Sequence, residues 1–337
     1  MTARVFSGVQ PSGVPHLGNY LGAFRNWVPL QDDHDAFYCI VDLHTLTVPW
    51  DPRALADGTL EVAATLLACG VDPDRSVLFV QSHVAAHAEL AWVLTCLARL
   101  GELRRMVQFK ERSRADTESV GAGLLTYPVL QAADVLLYRA DGVPVGEDQR
   151  QHVELMRDLA VRFNSLLGEV FVPPEPWIPP AGARIMSLDD PTRKMSKSTS
   201  RPASNITLTD TPDAIARKIR SAVTDSGREV RADADKPALA NLLTIYSLVA
   251  DTPVAELEAR FAGTGYGAFK TALADLLIEH LDPIRERFSA FMDDRAELSS
   301  ALARGAERAA EVAGRTLADA RDRIGLLPAP TLRPVPP

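Results

Sequence analysis

Two short β-rich runs, Phe37–Val41 and Val77–Val80, are separated by one long stretch with apolar residues at helical spacing, Leu55–Cys69. This alternation limits the fold more than any other feature. A strand, a helix and a second strand in succession form a crossover, which makes the strands parallel and lays the helix on one face of the sheet. A further apolar helix is expected over about Glu89–Leu100, stopping at Gly101. Sheets of this kind bind ligands beyond the carboxyl ends of their strands, so polar residues that follow strands are the first candidates for a site.

The rhythm continues from Tyr127 to Phe163, with a helix through Ala132, Leu136 and Leu137, a strand over Gly142–Val145 and a long helix from Glu147. The prolines of Pro173–Pro180 are expected to break any regular element, and Ile185–Ser204 is polar, basic and serine-rich, as a mobile loop would be. From Asp210 the pattern turns helical, opening on Thr211 as N-cap with Pro212 at the first helical position. Leu273, Leu276, Leu277, Leu281, Ile284, Phe288 and Phe291 form one apolar stripe. The fold class expected is α/β: a Rossmann-like parallel-sheet nucleotide-binding domain over residues 1–209 and a C-terminal all-helical domain over 210–327, which can pack back on the first. The proline-rich tail, 328–337, is expected to be disordered.

Hydrophobic residues make up 46 % of the chain and charged ones 24 %, the balance of a folded soluble protein. The formal net charge of -8 confines any contact with RNA to a local basic patch. Arg217, Lys218 and Arg220 offer one such edge. The 3 cysteines, Cys39, Cys69 and Cys96, each lie in an apolar run and read as buried thiols in a reducing cytoplasm. No Cys/His spacing suggests a metal site. A polar stretch begins almost at the N-terminus, leaving no room for a signal peptide, and no apolar segment approaches the ~20 residues that span a bilayer.

Phe6-Ser7-Gly8-Val9-Gln10-Pro11-Ser12-Gly13 and then His16-Leu17-Gly18-Asn19 describe a strand, a glycine-rich turn and a helix start. Glycine lets backbone approach a ligand closely, and a helix start offers N–H groups to phosphate, to which His16 and Asn19 add side-chain donors. Lys194-Met195-Ser196-Lys197-Ser198 places two lysines three residues apart among serines, suited to charge developing on a leaving pyrophosphate.

Together these two segments resemble the signature pair of the class I aminoacyl-tRNA synthetases. FSGVQPSG, Val41–Val48 (VDLHTLTV), Leu124–Tyr138, Gly146–His152 (GEDQRQH) and Gly182–Leu188 are similar to the tryptophanyl-tRNA synthetases in particular, in order from Val5 to about Leu326. The resemblance implies ligation of L-tryptophan to tRNA(Trp) through an adenylate made from ATP. It implies magnesium carried on the ATP phosphates, a helical domain that reads the anticodon, and a homodimer. It places ATP against Gln10, Pro11, Ser12, Gly18, Asn19, Gly146, Glu147, Asp148, Ile185 and Lys194–Ser198 (Lys194, Met195, Ser196, Lys197, Ser198), with Lys110 and Arg112 reaching the phosphates. Catalysis by His16, Asn19, Lys194, Lys197 and Ser198 is then alignment and charge neutralisation, with no general base. Tryptophan would lie among Asp134, Tyr127, Gln131, His44, Val143, Val145 and Gln149, its indole N–H on Asp134, since a donor-only group suits an acceptor-only carboxylate. His152 is read as structural, and His34, His83, His87 and His280 as surface or packing residues.

Three positions depart from the family pattern. Gln131 stands where a methionine usually faces the indole, Leu43 where some members carry glutamine, and Arg112 for a lysine. A tyrosine-specific relative, a binding-only paralogue and a nucleotidyl transferase are the rival readings. GEDQRQH and FSGVQPSG argue against the first, the intact lysine loop and histidine turn against the second, and the helical second half against the third.

Overall fold

The computed structural model describes residues 2–113, 121–178, 184–196 and 201–327, the side chains of 111–113 and 202 excepted. Strands β1 (Arg4–Val9), β2 (Asp35–Ile40), β3 (Val77–Val80), β4 (Gly142–Pro144) and β5 (Glu175–Trp177) form one sheet in the order β3-β2-β1-β4-β5, with every pairing parallel. Between β1 and β2 lie α1 (Leu17–Asn19), a π-helical turn (Tyr20–Phe24) and α2 (Arg25–Asp33); after β2 come α3 (Asp42–Thr45) and α4 (Pro52–Ala68). Helices α5 (Ala86–Leu97), α6 (Leu100–Leu103), α7 (Val107–Ser113) and α8 (Gly123–Leu136) connect β3 to β4, and α9 (Arg150–Leu167) connects β4 to β5. The remainder is helical: α10 (Pro212–Ser221), α11 (Pro237–Ala250), α12 (Val254–Arg260), α13 (Gly265–Asp293) and α14 (Arg295–Ile324).

The strand order reverses between β1 and β4, the switch point at which such sheets open a crevice. The loops after β1 and β4 therefore flank it, and they carry the two glycine-containing motifs. Side chains alternate across the sheet. Val5, Tyr38, Ile40, Leu78 and Val80 pack into one core with α4, α10, α11 and α13, while Phe6, Phe37, Cys39, Val77 and Phe79 pack into a second with α5, α8 and α9. Both faces are covered, as a parallel sheet requires.

The expected boundary near residue 210 does not divide these cores. α14 places Leu298 and Leu302 in the first and Ala306, Ala309, Ala313, Leu317 and Ala320 in the second, passing over edge strand β3. At the crossing stands Gly305, where a Cβ would lie 1.8 Å from the Leu78 carbonyl oxygen. Backbone meets backbone here, and the otherwise open edge of β3 is covered.

Three local expectations need correction. Pro173–Pro180 does contain a strand, β5, because an edge strand tolerates Pro176, which has no N–H to give. The Trp177 ring of β5 lies over Gly142, where any Cβ would come within 2.1 Å of it. The helix expected to reach Leu100 ends at Leu97, whose carbonyl accepts from Arg162, and α6 starts separately, with the Glu102 carboxylate accepting from the Arg99 N–H. Cys39 is buried, but Cys96 is exposed on the outward face of α5, one turn from Trp92, which is 70 % exposed. Among the described residues no single helix is long and apolar enough to cross a membrane. The pair α11 and α12 passes only together, bent by 105°, and α11 is spent on the core.

Candidate functional site

Five segments that follow the carboxyl ends of strands make up the candidate site around the switch point. After β1, His16 caps α1: its Nδ1 accepts from the Asn19 N–H at 3.2 Å, and Asn19 Oδ1 accepts from the His16 N–H at 3.1 Å. Both expected phosphate donors are thus tied into the helix start, which holds its first turn in register. Gly18 allows this closeness, since a Cβ there would meet the His16 ring at 3.0 Å and Ile185 at 3.6 Å. Gln10 and Ser12 are exposed on the loop and Pro11 is buried. The Pro11 carbonyl sits where a Cβ on Gly58 of α4 would come within 3.0 Å, so Gly58 lets the helix support the loop.

The lysine segment faces this turn. Met195 N–H donates to Ile185 O at 3.0 Å and Ser187 N–H to Arg193 O at 2.8 Å, closing a hairpin with a bridge between Met186 and Lys194. Ile185 and Met195 are buried in the first core, so their side chains anchor the hairpin while Lys194 stays exposed. Two residues the sequence did not single out fasten it. Asn241 of α11 accepts from the Met186 N–H and donates to its carbonyl, at 2.8 and 3.0 Å, and Asn205 donates to Ser196 O at 2.9 Å. Leu17 N–H reaches Ile206 O at 2.7 Å and Leu208 N–H reaches Pro15 O at 3.1 Å, stitching the histidine turn to the chain beyond the lysines. Lys197, Ser198, Gly182, Ala183 and the Arg112 side chain lie outside the described residues. Lys110 is exposed on α7.

The third and fourth loops, after β2 and β3, meet Asp134 of α8. Asp134 is 1 % exposed, and its carboxylate accepts three hydrogen bonds. His44 Nε2 donates to Oδ2 at 2.8 Å, while Gln81 Nε2 and His87 Nδ1 donate to Oδ1 at 2.6 and 2.7 Å. Burial by itself would raise this carboxyl, but the hydrogen bonds from His44 and His87 outweigh it and hold the group well below the usual carboxylate range. Tyr127 stands edge-on to His44 with ring centroids 6.2 Å apart, and its hydroxyl lies 3.0 Å from His152 Nε2. Gln131 Nε2 donates to Gln149 Oε1 at 3.4 Å. Val143 is buried and Val145 half-buried in the same core. The seven positions expected around an amino acid are therefore gathered between α3, α8, β4 and the turn after it. In that turn Gly146 caps a 3-10 turn, Glu147–Gln149, ahead of α9, with Glu147 paired to Arg150 at 2.6 Å.

Buried polar atoms are almost always hydrogen-bonded. Among the described residues, three of the buried side-chain atoms without a partner are Thr45 Oγ1, Gln108 Oε1 and His152 Nδ1. Thr45 adjoins His44 and His152 touches Tyr127, so two of them lie next to residues expected around the amino acid. No group of three His, Cys, Asp or Glu among the described residues is placed to hold a metal.

Burial pulls the His152 imidazole down to about 4, with Asp148 opposing and His44 adding to the shift. The unfolded chain binds this proton near 6.5 and the folded chain only near 4, so stability falls as pH drops through that window. The loss amounts to about 3 kcal/mol. Urea unfolding of the wild type and His152→Gln at pH about 7 and about 4 checks this. The variant should lose most of the pH slope, and an unchanged slope would contradict the assignment.

Against known proteins, the family described as tRNA synthetases class I (W and Y) matches residues 1–282. The chain is 55 % identical over 329 residues to tryptophan--tRNA ligase 2 of Streptomyces avermitilis, covering 97 % of this chain and 98 % of that one. Its fold is similar to the crystal structure of tryptophanyl-tRNA synthetase from Mycoplasma pneumoniae, with a TM-score of 0.87 at 37 % identity, covering 96 % and 98 % of the two chains. It is also similar to the enzyme from Campylobacter jejuni complexed with ADP and tryptophan, with a TM-score of 0.82 at 35 % identity, covering 96 % and 100 %.

Proposed function

This chain belongs to the class I tRNA synthetases of the tryptophan and tyrosine family, and from that membership we infer that it ligates L-tryptophan to tRNA(Trp) at the expense of ATP. The tryptophan carboxylate oxygen attacks the α-phosphorus of ATP, and the bond to pyrophosphate breaks. A ribose hydroxyl of the tRNA end then attacks the carbonyl of the adenylate, and AMP leaves. The carboxylate is already a nucleophile, so the protein's share is alignment and charge neutralisation.

In our reading the histidine turn, with Gln10, Pro11, Ser12, Gly18 and Asn19, holds ATP against Ile185 and the turn Gly146–Asp148. Lys194 and Lys197, with Ser196, Ser198, Lys110 and Arg112, stabilise the triphosphate and the departing pyrophosphate, each donor contributing about 3–4 kcal/mol. The donor set on the protein side, lysines and backbone N–H groups, suits phosphate rather than a metal cage, so magnesium would come with ATP and supply charge neutralisation at its phosphates. The pocket of Tyr127, Gln131, His44, Val143, Val145 and Gln149 takes tryptophan. The observation that carries this reading is Asp134, a buried carboxylate that accepts from His44, Gln81 and His87 beside Tyr127. The test is ATP-dependent charging of tRNA(Trp) with labelled tryptophan, with the adenylate trapped by hydroxylamine. Charging accompanied by tryptophan hydroxamate is expected; nucleotide binding without hydroxamate would favour the binding-only paralogue.

We assign activation to residues 1–209 and anticodon reading to 210–327, the two held together by the shared cores. The basic edge of α10 is narrower than expected, because Lys218 is bound to Asp210 at 2.5 Å, leaving Arg217 and Arg220 exposed. Replacing both arginines with alanine should lower charging about tenfold and leave tryptophan-dependent pyrophosphate exchange unchanged; equal loss of both would refute the assignment.

A homodimer is supported by exposed Trp92 and Cys96 on α5, followed by exposed Leu100 and Val107. A large aromatic on a helix face with apolar neighbours is typical of an interface anchor. Trp92→Glu should shift the sedimenting species to a monomer at micromolar concentration; an unchanged dimer would move the interface elsewhere. With ATP and tRNA as substrates, the cytoplasm is the compartment we assign.

A further inference from the structure

We propose that His87 is a positioning residue for tryptophan recognition. With Gln81 it occupies Oδ1 of Asp134, leaving Oδ2, beside His44, as the acceptor for the indole N–H. This rests on the reading of Asp134 as the residue that meets the indole.

A carboxylate offers about four lone-pair sites, two on each oxygen. Oδ1 already accepts from Gln81 and from His87, whereas Oδ2, among the described residues, accepts from His44 alone. The remaining site is on Oδ2, on the His44 side where Tyr127 also stands. Both donors to Oδ1 are themselves fixed. Gln81 Oε1 accepts from the Leu43 N–H at 3.1 Å, which turns its amide nitrogen toward Asp134.

His87 lies between Asp134 and the Tyr138 hydroxyl, 2.8 Å from its Nε2. Burial keeps that hydroxyl protonated, so it donates to Nε2 and the proton of a neutral His87 sits on Nδ1, facing Asp134. Tyr138 cannot swing away: it stacks on Phe6 at 5.3 Å and packs against Phe37 and Phe79. His87 is wholly buried beside Phe79. A ring flip would break both of its hydrogen bonds at once, so the tautomer and the carboxylate plane are locked together. A histidine serving only as core filling needs no such alignment.

The experiment measures pyrophosphate exchange by the full-length protein with tryptophan and with benzothienylalanine, in which sulfur replaces the indole N–H. In His87→Leu the tryptophan KM should rise about tenfold, with kcat, the ATP KM and the benzothienylalanine KM within about twofold of wild type. The preference for tryptophan then collapses, and His87→Asn, whose amide can stand where Nδ1 stood, should restore it. Equal rises in both KM values, or no change in either, would overturn the proposal. Tyr138→Phe supplies a second variant if His87→Leu does not fold; it should lower the preference about threefold, and an unchanged preference there also overturns the proposal. Asp134→Asn separates the two layers. If it abolishes the preference while His87→Leu does not, only the role of His87 fails; if it leaves the preference intact, the reading of Asp134 fails with it.

Discussion

Asp134→Asn should lower kcat/KM for tryptophan about 10²–10³-fold while the protein remains folded and binds ATP. Removing one partner of a buried ionic pair costs about 3–5 kcal/mol, because the groups left behind keep their desolvation cost without their partner. In this pocket the groups left behind are three donors, from His44, His87 and Gln81, all aimed at the two carboxylate oxygens. An amide supplies one acceptor and places two N–H donors against donors, so no orientation of asparagine satisfies all three. The indole N–H loses its acceptor as well. Steady-state exchange kinetics and a thermal melt separate the two effects. A variant with unaltered tryptophan kinetics would remove Asp134 from the recognition of the amino acid. The same substitution should also reshape acid unfolding. A carboxyl held below its unfolded value of about 3.9 contributes stability above that pH and loses it as pH falls toward the folded value. The acid limb of the stability curve should therefore be shallower in Asp134→Asn.

Gly305→Ala should lower the melting temperature by about 6–12 °C, the equivalent of about 3 kcal/mol at 2–4 °C per kcal/mol. The added methyl would stand 1.8 Å from the Leu78 carbonyl oxygen and 2.8 Å from its carbon. Neither the middle of a strand nor the middle of a helix can yield by changing a rotamer, so α14 must lift from β3. That movement would open both cores, since α14 contributes to each. Gly314 of the same helix is the control. It is exposed, and a Cβ there meets nothing within 4 Å. Gly314→Ala should therefore stabilise by about 0.5–1 kcal/mol. Opposite signs from one substitution in one helix would show that packing against β3, rather than helix propensity, decides the outcome at Gly305. A melting temperature unchanged in Gly305→Ala would contradict the packing.

The parallel sheet was legible because Phe37–Val41 and Val77–Val80 are continuous apolar runs, as strands buried on both faces must be. The helix start at Thr211 was legible from its capping residue and that near Gly18 from the glycine-rich turn before it, whereas the cap that His16 supplies there was not. β5 was hidden by its prolines, which disqualify a central strand but not an edge one. The crossing of α14 over β3 left almost no trace, since one glycine in an alanine-rich helix does not reveal which carbonyl it must clear. Within the site, resemblance named Asp134, His44 and Tyr127, which the structure places together, but not Gln81 or His87, which donate to Asp134. His87 sits on an apolar helix, where a packed histidine is the ordinary reading, and only its geometry ties it to Asp134. Gln81 carried a usable signal, a polar residue directly after β3 at the carboxyl end of the sheet. Asn205 and Asn241 carried none, because their partners are backbone groups of a distant hairpin. Lys218, read with Arg217 and Arg220 as a basic edge, is paired instead with the Asp210 carboxylate eight residues away, just ahead of the helix start at Thr211.

The central claim is that this chain activates tryptophan and selects it through a buried carboxylate. Exchange of labelled pyrophosphate into ATP, run in parallel with tryptophan, tyrosine and phenylalanine, tests it most directly. A site built around a hydrogen bond rejects an analogue that lacks the donor by about 10⁴–10⁵. Strong exchange with tryptophan and phenylalanine weaker by about that factor is the result expected; tyrosine, whose hydroxyl sits at the far end of its ring rather than at the position of the indole N–H, should be rejected as well. Comparable exchange with tyrosine, or none with any of the three from folded ATP-binding protein, would contradict the account.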